Sequence, residues 1–154
     1  ERLRFSTKEI KLVEIMVQQH LRPTQMGHDE LPSRRAIYRY FRDTGEAGID
    51  ILFLSLADHL ATRGQHLDLA QWQEHAKLVT HVLTQYSEEE SLAVPSKLID
   101  GHDLINLFGL GPGPQIGEIL EAVREVQAAG EVATREEALA HIENLLASSS
   151  SKSK

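Results

Sequence analysis

Apolar residues return along this chain at steps of three and four, and no segment sustains the alternation of a strand, so helices are expected throughout. Ser6 followed by Glu9 has the spacing of a capping box, and Ile10, Val13, Met16, Val17 and His20 follow at helical spacing until Pro23 stops the helix. Ser33 is placed to cap a second helix from Arg34 to Asp43, ended by Gly45, with Ile37, Tyr40 and Phe41 on its apolar side. From Ile49 to Leu60 nearly every residue is apolar, which predicts a central, surrounded helix ended at Arg63-Gly64. Asp68 caps the next, whose Leu69, Trp72, Ala76, Val79, Leu83 and Tyr86 form a long packing seam. Glu88-Glu89-Glu90 is expected as a solvated turn, and Pro95 as the start of a connector.

The stretch from Leu98 to Leu146 is punctuated most regularly. Gly109 falls just past an apolar helical segment, where a left-handed closing residue is wanted, and Pro114 falls in the first turn of the next helix. Ile116, Ile119, Leu120 and Val123 share one face of that helix, which stops at Gly130. Thr134 with Glu137 opens a last helix whose stripe is Ala138, Leu139, Ile142, Leu145 and Leu146. The fold class is therefore all-α: a helical bundle over residues 1–94, a smaller helical unit over 95–147, and a disordered Ser/Lys tail over 148–154.

At 154 residues and 41% apolar content the chain has material for one medium domain or two small ones. Cysteine is absent, which removes disulfides, thiolate zinc sites and cysteine nucleophiles and fits a reducing compartment. No apolar run approaches the roughly 20 residues of a bilayer crossing, and no leader pattern is seen, so a soluble cytoplasmic protein without membrane partners is expected. The start at Glu1, on the approach to a helix, is expected of a piece of a longer protein.

Net charge is −7, which argues against indiscriminate binding of nucleic acid. The distribution changes that picture, because residues 1–43 hold nine Lys and Arg against six acids, a local +3, while residues 44–154 sum to −10. Arg35, Arg39 and Arg42 line one helix side at steps of four and three, with Arg34 and Arg63 as companions, and guanidinium forks match phosphate oxygens in pairs. The competing reading of that row is a solvated face paired with acids. Gly109, Gly111 and Gly113 form a second candidate, a helix-hairpin-helix-like turn in which glycine lets backbone amides approach phosphate, although Pro112 and Pro114 remove two donors.

Other candidates resolve towards structure. Asp58 interrupts an apolar helix and is an orphan metal-ligand candidate, but a divalent site needs several convergent ligands, so a hydrogen-bonded carboxylate is the competing reading. His28-Asp29 and His102-Asp103 sit beside glycines and read as turn and cap residues, and Asp50 reads as a helix cap. No histidine pair four apart on a helix, no Gly-x-Ser-x-Gly and no Walker-type Gly-Lys-Ser/Thr occurs, so no catalytic residue is assigned.

Two sets of residues carry a family resemblance. Gly101-His102-Asp103-Leu104, Pro112-Gly113-Pro114-x-Ile116-Gly117, Gly130 and Thr134-x-x-Glu137-Ala138 resemble the C-terminal tail of bacterial tRNA nucleotidyltransferases (CCA-adding enzymes) and the related poly(A) polymerases. Arg4-Phe5-Ser6-x-Lys8-Glu9-Ile10, His20-Leu21-Arg22-Pro23, Arg34-Arg35-Ala36-Ile37-x-Arg39-x-x-Arg42-Asp43, and Ser55-Leu56-Ala57-Asp58 with Arg63-Gly64 resemble the second half of the HD-type helical domain of some of these proteins. The resemblance implies an RNA partner, tRNA by preference, and a nucleotidyltransferase head upstream that uses CTP, ATP and magnesium. Nothing in this segment matches the head or the upstream histidines of an HD metal site; only Asp58 matches its last ligand position. The segment is expected to position RNA without cofactor or catalysis of its own. The rivals are a fragment of an HD-type metal-dependent phosphohydrolase and a purely structural helical bundle.

Overall fold

A computed structural model describes residues 4–27, 30–91 and 97–150, of which 88–91 and 149–150 by backbone alone. Among these residues every regular element is a helix, and the fold is all-α. The chain divides into two compact units, Glu1–Glu89 and Glu90–Lys154.

The first unit holds α1 (Thr7–Gln19), α2 (Arg22–Met26), α3 (Arg34–Thr44), α4 (Gly48–Arg63) and α5 (Leu69–Ser91). The capping box at α1 is complete: Glu9 N–H donates to Ser6 Oγ at 3.3 Å, and Ser6 N–H donates to Glu9 Oε2 at 2.7 Å. Pro23 does not stop this helix. The chain leaves it at Gln19, and Pro23 sits in the first turn of α2, where its missing N–H costs nothing. Nor does the expected stripe pack as a whole, since Leu12, Ile15 and Met16 meet the core while Ile10, Val13 and Val17 stay outside. His28-Asp29 lies outside the described residues.

Ser33 caps α3, accepting from Ala36 N–H at 3.3 Å, and Gly45 closes it in the left-handed region at φ 54°. The core of this unit gathers Ile37 and Tyr40 from α3, Ile51 and Leu52 from α4, and Leu78, Val79 and Val82 from α5. Tyr40 is fully buried, and its hydroxyl donates to the Gly48 carbonyl at 2.6 Å; burial pushes the phenol well above its usual range. A side chain at Gly48 would stand 2.7 Å from the Phe41 ring and 2.8 Å from Thr44 Oγ1.

Two helices differ from expectation in what they bury. Helix α4 is apolar all round yet not surrounded: Ile51, Leu52, Ser55 and His59 face inward while Ile49, Phe53 and Leu60 are exposed. Asp50 lies in its first turn without a capping hydrogen bond. Helix α5 is capped by Asp68, whose Oδ1 accepts from Ala70 N–H at 2.9 Å, but its buried stripe is His75, Leu78, Val79 and Val82, with Leu69 exposed. The seam is displaced from the purely apolar one because a histidine with a hydrogen-bond partner can occupy a core position. Glu88-Glu89-Glu90 is no turn; the backbone stays helical to Ser91, as three good helix formers allow. Pro95 lies outside the described residues.

The second unit holds α6 (Gly101–Phe108), α7 (Pro114–Ala128) and α8 (Arg135–Ser150) around Ile99, Leu104, Ile119, Val123, Val126, Val132, Ala138 and Ile142. Gly109 closes α6 at φ 64°, its N–H donating to the Ile105 carbonyl at 3.1 Å, and Pro114 opens α7. At α8, Glu137 N–H donates to Thr134 Oγ1 at 3.2 Å and Thr134 N–H to Glu137 Oε2 at 3.1 Å. This helix runs past the expected boundary at 147 to Ser150, and Ser148 Oγ donates to the carbonyls of Asn144 and Leu145 at 2.8 and 2.9 Å.

Polar burial in the first unit centres on two imidazoles. His59 and His75 stack with centroids 5.1 Å apart and planes 11° off parallel. The Ser55 hydroxyl donates to the Leu52 carbonyl at 2.7 Å, so at 3.2 Å its oxygen accepts from His75 Nε2–H. His59 Nε2 is buried with no hydrogen-bond partner. Burial, then the nearby Arg63 charge, holds His59 below the usual histidine range; for His75 burial leads, followed by His59.

Gly48→Ala is expected to lower stability in chemical denaturation, because overpacking costs about 1–3 kcal/mol while the helix-propensity gain of alanine is about 1 kcal/mol. Gly117→Ala, inside α7 with open space around the added methyl, is expected to gain about 0.5–1 kcal/mol. A Gly48→Ala protein as stable as its parent would show that Phe41 and Thr44 step aside freely.

The histidine pair sets a pH window. Its folded pKa values lie below the unfolded value of about 6.5, so the unfolded chain binds more protons between them. That contribution is complete above about pH 6.5 and is lost as pH falls towards the folded values. His59→Phe is expected to flatten this limb of a stability–pH curve, whereas Asp43, held low by Arg42 and Arg22, contributes only to a limb below about pH 4. An unchanged slope between pH 6.5 and 5 in the variant would contradict the assignment.

Candidate nucleic-acid interface

Helix α3 turns Ile37, Tyr40 and Thr44 into the core, and at 100° per residue this sends Arg35, Arg39 and Arg42 to the opposite side. The three span about 10 Å of helix axis. Arg39 and Arg42 are exposed, Arg35 is half-buried, and both Arg35 and Arg39 also interact with neighbours. Arg34 sits on the flank, where its Nε donates to Gln85 Oε1 of α5 at 3.1 Å, tying the start of α3 to the bundle.

The C-terminal end of the row contains a residue that sequence reasoning passed over. Arg22, at the start of α2, donates through Nη2 to Asp43 Oδ2 at 2.8 Å, while Arg42 Nε donates to Asp43 Oδ1 at 2.7 Å. The Arg22 guanidinium also lies 5.8 Å from the Tyr40 ring centroid. Hydrogen bonding from Arg42, and then from Arg22, holds the Asp43 carboxyl below the usual range despite some desolvation. Two guanidinium groups thus share one carboxylate. No pattern in the sequence pairs positions 22 and 43; the α2 and α3 packing does.

Beside this corner lies a cleft of about 590 Å³ between α1 and the turn joining α3 to α4. Lys8, Lys11 and Arg42 line it opposite Asp43, Glu46 and Asp50, with Lys8 Nζ 3.5 Å from Glu46 Oε2 across its exposed rim. An exposed pair of that kind contributes little to stability, which leaves the lysine ready for another anion.

Arg63 does not join the α3 row by any contact of its own; it ends α4 beside His59 and His75, where its charge disfavours their protonation. Asp58 is half-buried on the same helix, its charge acting on His59, so the full cost of burying a carboxylate that motivates a metal there is not incurred. Among the described residues no three His, Asp or Glu side chains come together in a way that could hold an ion. No helix of the described residues is long and apolar enough to cross a membrane.

In the second unit the cations are largely committed. Arg135 grips Asp103 through both guanidinium nitrogens, with Nη1 to Oδ2 at 3.0 Å, and donates to the Leu98 carbonyl at 3.1 Å. Asp103 also accepts from Asp100 N–H at 2.9 Å, completing the cap of α6 reciprocally with Asp100. Hydrogen bonding from Arg135 leads in holding Asp103 below its ordinary range. Arg124 lies 3.5 Å from Glu121. At the glycine turn the Gly109 amide is spent on Ile105; Gly111 and Gly113 face open space, with Gly113 extended at φ 169°. Of the two candidates, the α3 side of the first unit carries the arginines.

Residues 2–142 match the family model described as tRNA nucleotidyltransferase domain 2. The chain is 34% identical over 142 residues to a CC-adding tRNA nucleotidyltransferase of Thermus thermophilus, covering 91% of this chain and 29% of that protein. It is 32% identical to an A-adding tRNA nucleotidyltransferase of Deinococcus radiodurans (92% and 31%) and 27% identical to a CC-adding one of Synechocystis sp. (94% and 32%). The chain thus spans about 30% of the length of these curated relatives. No solved structure matches it significantly. With nearly its whole length matched by the family model, the chain belongs to the tRNA nucleotidyltransferase domain 2 family.

Proposed function

We propose that this chain is an RNA-positioning module that grips the phosphate backbone of tRNA for a nucleotidyltransferase head lying upstream in the same polypeptide. The observation that carries the reading is the outward arginine row of α3, extended by Arg22, on the basic end of an otherwise acidic chain. Guanidinium groups spaced along a helix contact phosphates without reading bases, which suits an enzyme that must accept many tRNAs of one shape. The names of the relatives supply the RNA, since CC-adding and A-adding tRNA nucleotidyltransferases act on tRNA rather than on a poly(A) tail. The glycine turn at Gly109, Gly111 and Gly113 is a secondary contact at most, because two of its neighbours are prolines and one amide is already bonded.

Chemistry is assigned to the head, with its magnesium. This segment acts by geometry: α3 is locked on the core through Tyr40, so the arginines approach RNA from a fixed frame, and immobilised side chains lose less entropy on binding. Cytoplasmic location follows from the same reading.

Titration of the chain with folded tRNA at two salt concentrations tests it. Affinity is expected to fall as salt rises, and changing Arg35, Arg39 and Arg42 to Ala is expected to reduce the slope of log K against log salt by about 1 for each phosphate that is no longer neutralised. Folded tRNA is expected to bind more tightly than single-stranded poly(A) of equal length. Salt-independent binding, or an unchanged slope in the triple variant, would favour a purely structural bundle.

A further inference from the structure

Helix α1 is apolar on two sides. Leu12, Ile15 and Met16 pack against the core of the first unit, while Ile10, Val13 and Val17 are 45, 52 and 63% exposed, with Phe5 and Leu21 at 57 and 50% beyond the two ends. Solitary exposed apolar residues need no explanation, but a row along one helix is a patch. In the described chain α1 has no fully buried residue.

The size of the stripe decides between occupants. Thirteen residues rise about 20 Å, and with a helix about 10 Å wide the face is on the order of 200 Å². A stable association between separate molecules buries roughly 800 Å² on each partner, so a second copy seated on this stripe alone falls well short. A covalently tethered segment meets no such requirement, because its effective concentration is in the millimolar range before any contact forms. On the proposed reading the tether is the rest of a longer nucleotidyltransferase, since the chain covers only 29–32% of the length of its curated relatives. As the first helix, α1 is nearest to whatever polypeptide leads into Phe5.

We propose that the outer face of α1, Ile10, Val13 and Val17, is the seat of an apolar helix from the polypeptide preceding Glu1, which joins the nucleotidyltransferase head rigidly to this module. The inference rests on reading the chain as part of a longer nucleotidyltransferase, and not on RNA contact by α3. A rigid joint here would fix the distance between the head and the arginine row, so that phosphate contacts determine where an RNA end is presented.

The test compares the 154-residue chain with the polypeptide extended upstream as its gene encodes it. The triple variant Ile10→Gln, Val13→Gln and Val17→Gln keeps charge and does not lower helix propensity. It is expected to shift Tm of the short chain by no more than about 2 °C, as for exposed positions. In the extended protein it is expected to lower Tm by at least about 5 °C, and α1 amides should exchange more slowly in the extended parent than in the short chain. Leu12→Ala, on the inner face, is expected to destabilise both forms and shows that the assay responds to α1. Equal small shifts of the triple variant in both forms would overturn the proposal, as would a gene encoding nothing ahead of Glu1. A short chain that sediments as a dimer and is split by the triple variant would overturn it in favour of a second copy. Because the arginines are untouched, tRNA titration of the short triple variant is expected to match the parent, so failure of the RNA reading registers in a different measurement.

Discussion

The hydrogen bond from the Tyr40 hydroxyl to the Gly48 carbonyl holds α3 against the start of α4, and the arginine row takes its direction from that contact. A phenol buried completely must find an acceptor or lose on the order of 1–3 kcal/mol, so this ring has one acceptable depth and rotation. Thr44 reinforces it by donating to the Tyr40 carbonyl at 2.7 Å, and Phe41 stacks on Tyr86 with centroids 4.0 Å apart. Glycine at 48 is what permits Phe41 and Thr44 to close in. With Ile37, Tyr40 and Thr44 inward, helical periodicity leaves Arg35, Arg39 and Arg42 no other side to occupy.

Charge is divided along the chain by use as much as by number. In the first unit Asp43 is shared between Arg22 and Arg42, beside the lysines of α1. In the second unit Arg135 is consumed by Asp103 and the Leu98 carbonyl, a contact that fastens the start of α8 to the start of α6. A guanidinium so placed is a structural bolt.

Histidine burial adds a second constraint. His75 is accommodated in the core because Ser55 accepts its N–H, whereas His59 stacks on His75 and lies tilted against Trp72 with centroids 5.7 Å apart, one nitrogen unanswered. Neutral imidazoles tolerate that placement and imidazolium ions do not, so the first unit is built for neutral pH and above.

Local signals in the sequence determined the helix ends. Ser6 with Glu9, Ser33, Asp68, Gly109, Pro114 and Thr134 with Glu137 each satisfy or spare backbone groups within a few residues of themselves, and their spacing is enough to specify the result. The outward direction of the α3 arginines was legible for the same reason, once Ile37 and Tyr40 were taken as the inner face. Only the tertiary structure decided which apolar residues became core. Val13 and Leu12 are alike in hydrophobicity, as are Phe53 and Leu52, and a sequence that is apolar on more than one helix face does not say which face its neighbours will cover. The sharing of Asp43 between Arg22 and Arg42, and the burial of His59 and His75, were likewise invisible in one dimension, because each depends on contacts between residues about 20 positions apart that exist only after the helices have packed.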